Sequence, residues 1–285
     1  MKKYALINGK ILDGSENMTA RDAVVLVDGE KIANVLPKGD PIPNGYETID
    51  LGGKYLMPGL INMHVHLAGN GKPQKKQRDN AKLVKKIMST AVTRAIAYKL
   101  VAKFAKLELL SGVTTIRTVG GLADFDTKLR DDIKNGKKIG PRILAANRGI
   151  SVPDGHMAGS VAIAADSTEE ALRILENNEA ENVDLIKLMI TGGVLDAKEK
   201  GVPGEVKMSA DTVKAVCDEA KKNGYAVAAH VESPEGVKIA LENGVNSIEH
   251  GAKPDDEIIR LLKKTGRISV RQYPPRCRTR YSTAR

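Results

Sequence analysis

Tryptophan is absent from this chain, and phenylalanine occurs only twice in 285 residues. An interior without large rings has to be filled by aliphatic side chains, and 41% hydrophobic residues are enough to do so in one large α/β domain or two smaller ones. Cysteine is nearly missing as well. Cys217 and Cys277 are too few for a disulfide framework, and neither lies in a Cys-x-x-Cys or Cys-His metal spacing. Cys217 shares a helical face with Val213, Val216 and Ala220, the pattern of a core thiol. No apolar run reaches the length of a membrane span or a secretory signal, so no membrane role is expected and a cytoplasmic location is the default.

Acidic residues are in deficit, which gives a net charge of +10. Six of those positive charges are arginines of the segment Arg267–Arg285, which holds no acid. A second cluster, Lys72 to Lys86, sets seven basic residues against Asp79. Neither cluster interleaves aromatic with basic residues, and no zinc-finger or homeodomain pattern is present. Nucleic acid is therefore not the expected partner, although polyanion binding through these two clusters is retained as a reading from a different class.

Residues 1–55 read as a small β module. The runs Tyr4–Gly14 and Asp22–Val35 are β-rich and carry Asn8-Gly9, Asp13-Gly14 and Asp28-Gly29, dipeptides that favour hairpin turns. From Leu56 to Gly266 the rhythm becomes strand, loop, helix, repeated, which argues for parallel strands joined by crossover helices. The expected strands are 56–63, 113–119, 141–146, 183–190, 225–229 and 245–249. Ser167-Thr-Glu-Glu is a capping box, and Ser233-Pro-Glu places a cap and then proline at the first helical position, with Gly244 as the stop. About six units result, where a TIM-type barrel has eight.

The chain has five histidines, and two of them form the pair His64-Val-His66 at the end of the apolar run from Tyr55. Residues two apart on a strand project from one face, so both rings can converge on one metal ion. His230 and His250 also end short apolar segments, which gives four histidines one address at strand C-termini. Lys187 lies inside the apolar strand Val183–Ile190. A buried ammonium has to pair, snorkel or lose its charge, and a neutral amine can react with carbon dioxide to form a carbamate whose two oxygens can bridge two metal ions.

Taken together, Met57-Pro-Gly-Leu-Ile-Asn-Met-His-Val-His, Gly112-Val-Thr-Thr-Ile-Arg, Ile186-Lys-Leu, Ala229-His and Ser247-Ile-Glu-His-Gly make the chain resemble the amidohydrolase superfamily over roughly residues 1 to 266. Within it the resemblance is to the branch of imidazolonepropionase-like proteins and prolidase-type (Xaa-Pro) dipeptidases. It implies a TIM-like (β/α) barrel with a small N-terminal β-sandwich-type module. It also implies that His64 and His66 bind one zinc ion, that Lys187 as a carbamate bridges two, and that His230 and His250 bind the second. The implied reaction is hydrolysis of an amide-type C–N bond, in which water activated at the metal attacks a carbonyl. The expected substrate is a small molecule or a dipeptide such as Xaa-Pro, with a cyclic amide of the imidazolonepropionase kind as the alternative. A homo-oligomer is compatible with the sequence.

His156, in the glycine-rich loop Pro153-Asp-Gly-His-Met-Ala-Gly, would contact substrate by resemblance, while its bland reading is a surface loop histidine. Arg117 is read as the partner of a nearby acid rather than as a substrate clamp. The resemblance also calls for an aspartate at the end of an eighth strand, and no residue here can be assigned that role. From Arg267 the composition changes to a basic, proline-containing tail read as irregular. Strands seven and eight are accordingly expected to be missing, and the chain as written is expected to have little or no hydrolase activity. An inactive fragment thus stands beside the enzyme reading.

Overall fold

The computed structural model describes residues 2–69, 79–193 and 204–270. Most of the Lys72–Lys86 cluster, the tail from Arg271 and Cys277 lie outside the described residues. Two compact units divide the chain, Met1–Leu60 and Ile61–Arg285.

The first unit contains β1 (Lys3–Ile11), β2 (Arg21–Asp28), β3 (Lys31–Pro37), β4 (Glu47–Asp50) and β5 (Tyr55–Leu56). They form one five-stranded sheet in the order β3-β2-β1-β4, with β5 also pairing with β1. Alternation along β2 sends Val24 and Leu26 to a cluster with Ala5, and Ala23 and Val25 to a second cluster with Ile11. Asp28-Gly29 makes the expected turn between the antiparallel strands β2 and β3. Asn8-Gly9 does not turn the chain. It lies within β1 at a shift of register, and Asn8 takes φ 54°. A Cβ on Gly9 would stand 2.4 Å from the Leu51 side chain, so glycine is needed here for close approach rather than for a hairpin.

The second unit opens with β6 (Leu60–Val65), followed by α1 (Asn80–Ile87), α2 (Ala91–Leu110), β7 (Val113–Thr118), α3 (Phe125–Lys134) and β8 (Arg142–Ala145). Then come β9 (Gly149–Ser151), β10 (Ala162–Ala164), α4 (Thr168–Ala180), β11 (Leu185–Met189), α5 (Ala210–Lys222), β12 (Ala226–Val231), α6 (Pro234–Glu242), β13 (Ser247–His250), α7 (Asp256–Thr265) and β14 (Ile268–Val270). One sheet runs β6-β7-β8 and the other β10-β9-β11-β12-β13-β14, the latter parallel throughout. The two meet where Asp184 donates its N–H to the Ala145 carbonyl and its carboxylate accepts the Ala145 N–H. This is an α/β fold of parallel strands with crossover helices.

The helices begin where the cap residues predict. Ser167 Oγ accepts the Glu170 N–H at 3.2 Å, and Ser233 Oγ accepts the Gly236 N–H at 3.3 Å, each satisfying a donor that the first turn cannot. The buried face of α5 is Val213, Val216, Cys217 and Ala220, packed with β11, β12 and β13 into the largest apolar cluster.

Two expectations are corrected. The count of six strands omits β9, β10 and β14, each three residues long and too short to show a period. The irregular basic tail does not begin at Arg267, and a seventh-strand segment is present. Gly266 ends α7 in the left-handed region at φ 64°, and Ile268–Val270 pairs in parallel with β13. Composition averaged over nineteen residues hid a short β-branched segment at its start.

Candidate metal centre

The strand ends of the second unit converge. His64 is in β6 and His66 just after it, Lys187 is in β11, His230 in β12, and His250 is the last residue of β13. The rings of His64 and His250 lie 4.7 Å apart between centroids, as do those of His230 and His250. His156, from the loop between β9 and β10, stacks on His230 at 3.9 Å with the planes 10° apart. All five histidines and the one lysine singled out from sequence thus belong to a single cluster.

Burial makes the cluster less basic than its residue types would suggest. Desolvation lowers all four strand-end histidines, and the neighbouring Lys187 ammonium adds to the depression in each. His64 falls to about 3, and His66 and His250 to about 4. These rings are neutral at physiological pH, the form that can ligate a metal. Lys187 is only 1% exposed, and burial lowers its pKa to about 7 despite the opposing charge of Glu249. Its Nζ has no hydrogen-bond partner among the described residues, and neither has His230 Nε2. Two buried nitrogens without a hydrogen-bond partner, one of them 4.0 Å from the Glu232 carboxylate, are a donor set that suits a cation better than a finished core.

The tautomers sharpen this. His66 Nδ1 lies 2.9 Å from the Gly120 carbonyl, which can only accept, so Nδ1 carries the proton. His64 Nδ1 lies 2.7 Å from Glu249 Oε2 and likewise donates. Both Nε2 atoms are then unprotonated, and they face each other at 3.2 Å. Neither can donate to the other, whereas two imidazole nitrogens on one tetrahedral zinc stand roughly 3.4 Å apart. The donor set fits a metal.

His250 adopts φ 67°, a left-handed conformation that few side chains favour, and Gly251 follows at φ 72°. Strain of this kind persists where the surrounding structure fixes it, commonly at functional sites. Gly193 has a steric role, since a Cβ there would stand 2.6 Å from the His156 ring.

Three site residues are not evident from sequence reasoning. Glu249 is fully buried, and although burial alone would raise its pKa, the hydrogen bond from His64 and the charges of Lys187 and Arg117 hold it at about 2. Ser247 Oγ donates to Glu249 Oε1 at 2.8 Å. Arg117, read as an ion-pair partner, does pair with an acid: its Nη2 donates to Glu249 Oε1 at 2.6 Å. Glu232, two residues after His230, groups with His230 and His250 so that one ligand atom of each lies within 4.8 Å of the others. The signal available for Glu232 and Glu249 was their place beside a strand-end histidine, in His-Val-Glu and Glu-His.

A parallel α/β unit with histidines at its strand ends defines a class, and comparison with known proteins places it. The profile described as the amidohydrolase family matches residues 55–268, and the chain belongs to that family. Among solved structures it is similar to a proposed prolidase from Bifidobacterium longum, with 35% identity, a TM-score of 0.73, and coverage of 92% of this chain and 57% of that one. It is also similar to a Xaa-Pro dipeptidase with bound methionine in the active site, with 30% identity, a TM-score of 0.76, and coverage of 94% and 66%. The ochratoxinase of Aspergillus niger is 24% identical over 295 residues, covering 94% of this chain and 58% of the relative. The chain therefore spans well under two thirds of the length of that curated relative.

Proposed function

We propose that this chain carries the metal centre of a hydrolase of amide-type C–N bonds, and that its substrates are dipeptides of the Xaa-Pro kind. The observation that carries the reading is the pair of unprotonated imidazole nitrogens facing each other at 3.2 Å, set by acceptors on the far side of each ring. The fold reading goes with it: a TIM-like barrel, with the N-terminal sheet as part of a β-sandwich. His64, His66, His230 and His250 hold one or two zinc ions, and Glu232 offers a carboxylate to the last two. Bound zinc supplies Lewis acidity toward a carbonyl and a lowered pKa for water. Lys187, with its amine partly neutral near pH 7, takes up carbon dioxide and becomes an anionic ligand. His156 faces the same point from its loop and orients the substrate carbonyl or carboxylate. The Xaa-Pro dipeptidase likeness supports the substrate class.

The test combines metal analysis with hydrolysis of a Xaa-Pro dipeptide by the 285-residue chain. One or two zinc ions per chain are expected, falling below half in His64→Asn, with little or no turnover because no residue takes the part of the strand-eight aspartate, and with whatever turnover is seen abolished by chelation. Failure of the wild-type chain to retain zinc, or turnover unchanged by chelation, would overturn the reading.

A further inference from the structure

Behind the histidines lies a polar network. Arg117, from β7, donates Nε to the Met63 carbonyl of β6 at 2.7 Å, Nη1 to Ser247 Oγ of β13 at 3.0 Å, and Nη2 to Glu249 Oε1 at 2.6 Å. Ser247 donates to the same Oε1, which leaves Oε2 for His64 Nδ1. Each oxygen of the carboxylate has its own partners, and all three nitrogens of the guanidinium donate. We propose that Glu249 is a positioning residue for the metal centre: it fixes His64 as the Nδ1–H tautomer with Nε2 bare, and Arg117 holds it in that orientation.

A neutral imidazole carries one N–H, and an anionic carboxylate can only accept. While Oε2 faces Nδ1, the proton stays on that side and the lone pair faces His66. Removing the charge reverses the discrimination: Arg117 and Ser247 donate to the Oε1 position, so an amide there keeps its oxygen on that side and turns its NH2 group toward Nδ1. Arg117 matters because it restricts that choice of rotamer: it is bonded to both β6 and β13, so the carboxylate cannot swing away from the ring without leaving two donors unpaired in the interior. The loop and strand ends that bear His64 and His250 are braced by the same side chain.

The inference rests on the metal reading above, and the experiment separates the two. Zinc affinity is measured by chelator competition at pH 7.5 for wild-type, Glu249→Gln, His64→Asn and the double variant, together with far-ultraviolet circular dichroism of the metal-free chains. In parallel, ring 15N shifts of histidine-labelled, metal-free protein report the His64 tautomer. Glu249→Gln is expected to weaken zinc binding about 10- to 100-fold, the range for losing an outer carboxylate partner. It is also expected to move His64 from the Nδ1–H toward the Nε2–H tautomer. In the His64→Asn background the same substitution should have no further effect on zinc. Additive losses in the double variant, or an unchanged tautomer in Glu249→Gln, would overturn the positioning role while leaving the metal reading intact. A wild-type chain that binds no zinc would overturn the metal reading, and the tautomer measurement would still decide what Glu249 does to His64.

Discussion

Asp126 occupies the first turn of α3 with 1% exposure, and neither carboxylate oxygen has a hydrogen-bond partner among the described residues. Burial pushes its pKa up to about 6. The folded chain therefore keeps this proton in a range where the unfolded chain, with an ordinary value near 3.8, has released it. Stability from this group is present below pH 3.8 and is lost as pH rises through about 6. Asp126→Asn should then be more stable than wild-type at pH 8, by about 3 kcal/mol, with the gap closing below pH 4. Urea titrations across that range would check it; equal denaturation midpoints at pH 8 would count against a charged, desolvated Asp126.

At the same scale, the five residues expected to bind metal stood out because histidine and lysine at apolar strand ends are chemically out of place, and the fold brings them together. Their supporting acid was not. Glu249 lies 185 positions from His64 along the chain, and a glutamate beside a histidine is an ordinary solvent-facing residue until folding turns its face inward. The close approach of His156 to Gly193 was equally hidden, since it joins two loops by space alone.

Helices were the most readable elements, because capping is local chemistry. Ser233 marks the start of α6, and its Oγ accepts the Gly236 N–H. Ser233→Ala should lower the free energy of unfolding by about 1 kcal/mol, read as a shift in chemical denaturation midpoint, whereas Ser233→Asp should nearly preserve it. A loss of zinc affinity exceeding the loss of stability would mean that the cap also shapes the His230 loop. The less readable elements were the short ones. Strands β9, β10 and β14 are held by neighbours on the sheet rather than by their own pattern, and the bulge at Asn8-Gly9 uses a turn dipeptide for close approach to Leu51.

On the scale of the whole molecule, the parallel architecture was foreshadowed by the alternation of strand and helix, which crossover geometry imposes on any such chain. The net charge of +10 tests a different idea. Many of the described basic side chains are committed to acids, such as Arg130 to Asp184 and Arg148 to Glu181. Duplex DNA should accordingly be bound no more tightly than about 10⁻⁵ M at physiological salt, with no preference among sequences. Fluorescence anisotropy over a salt series would measure this, and submicromolar binding would favour the polyanion reading over the hydrolase one.

The guanidinium of Arg117 reaches 54 positions back to Met63 and 130 and 132 positions forward to Ser247 and Glu249. During synthesis the chain emerges from its N-terminus, so this arginine exists for more than a hundred residues of elongation before its acid has been made. Joining ends so distant is entropically slow, and contacts of this separation form late in folding. Until then Arg117 can reach only the Met63 carbonyl, and its remaining donors and His64 Nδ1 lack their carboxylate. Burial of Lys187 and the pairing of the two imidazoles would thus be among the last events on the folding path, a delay built into one side chain's reach.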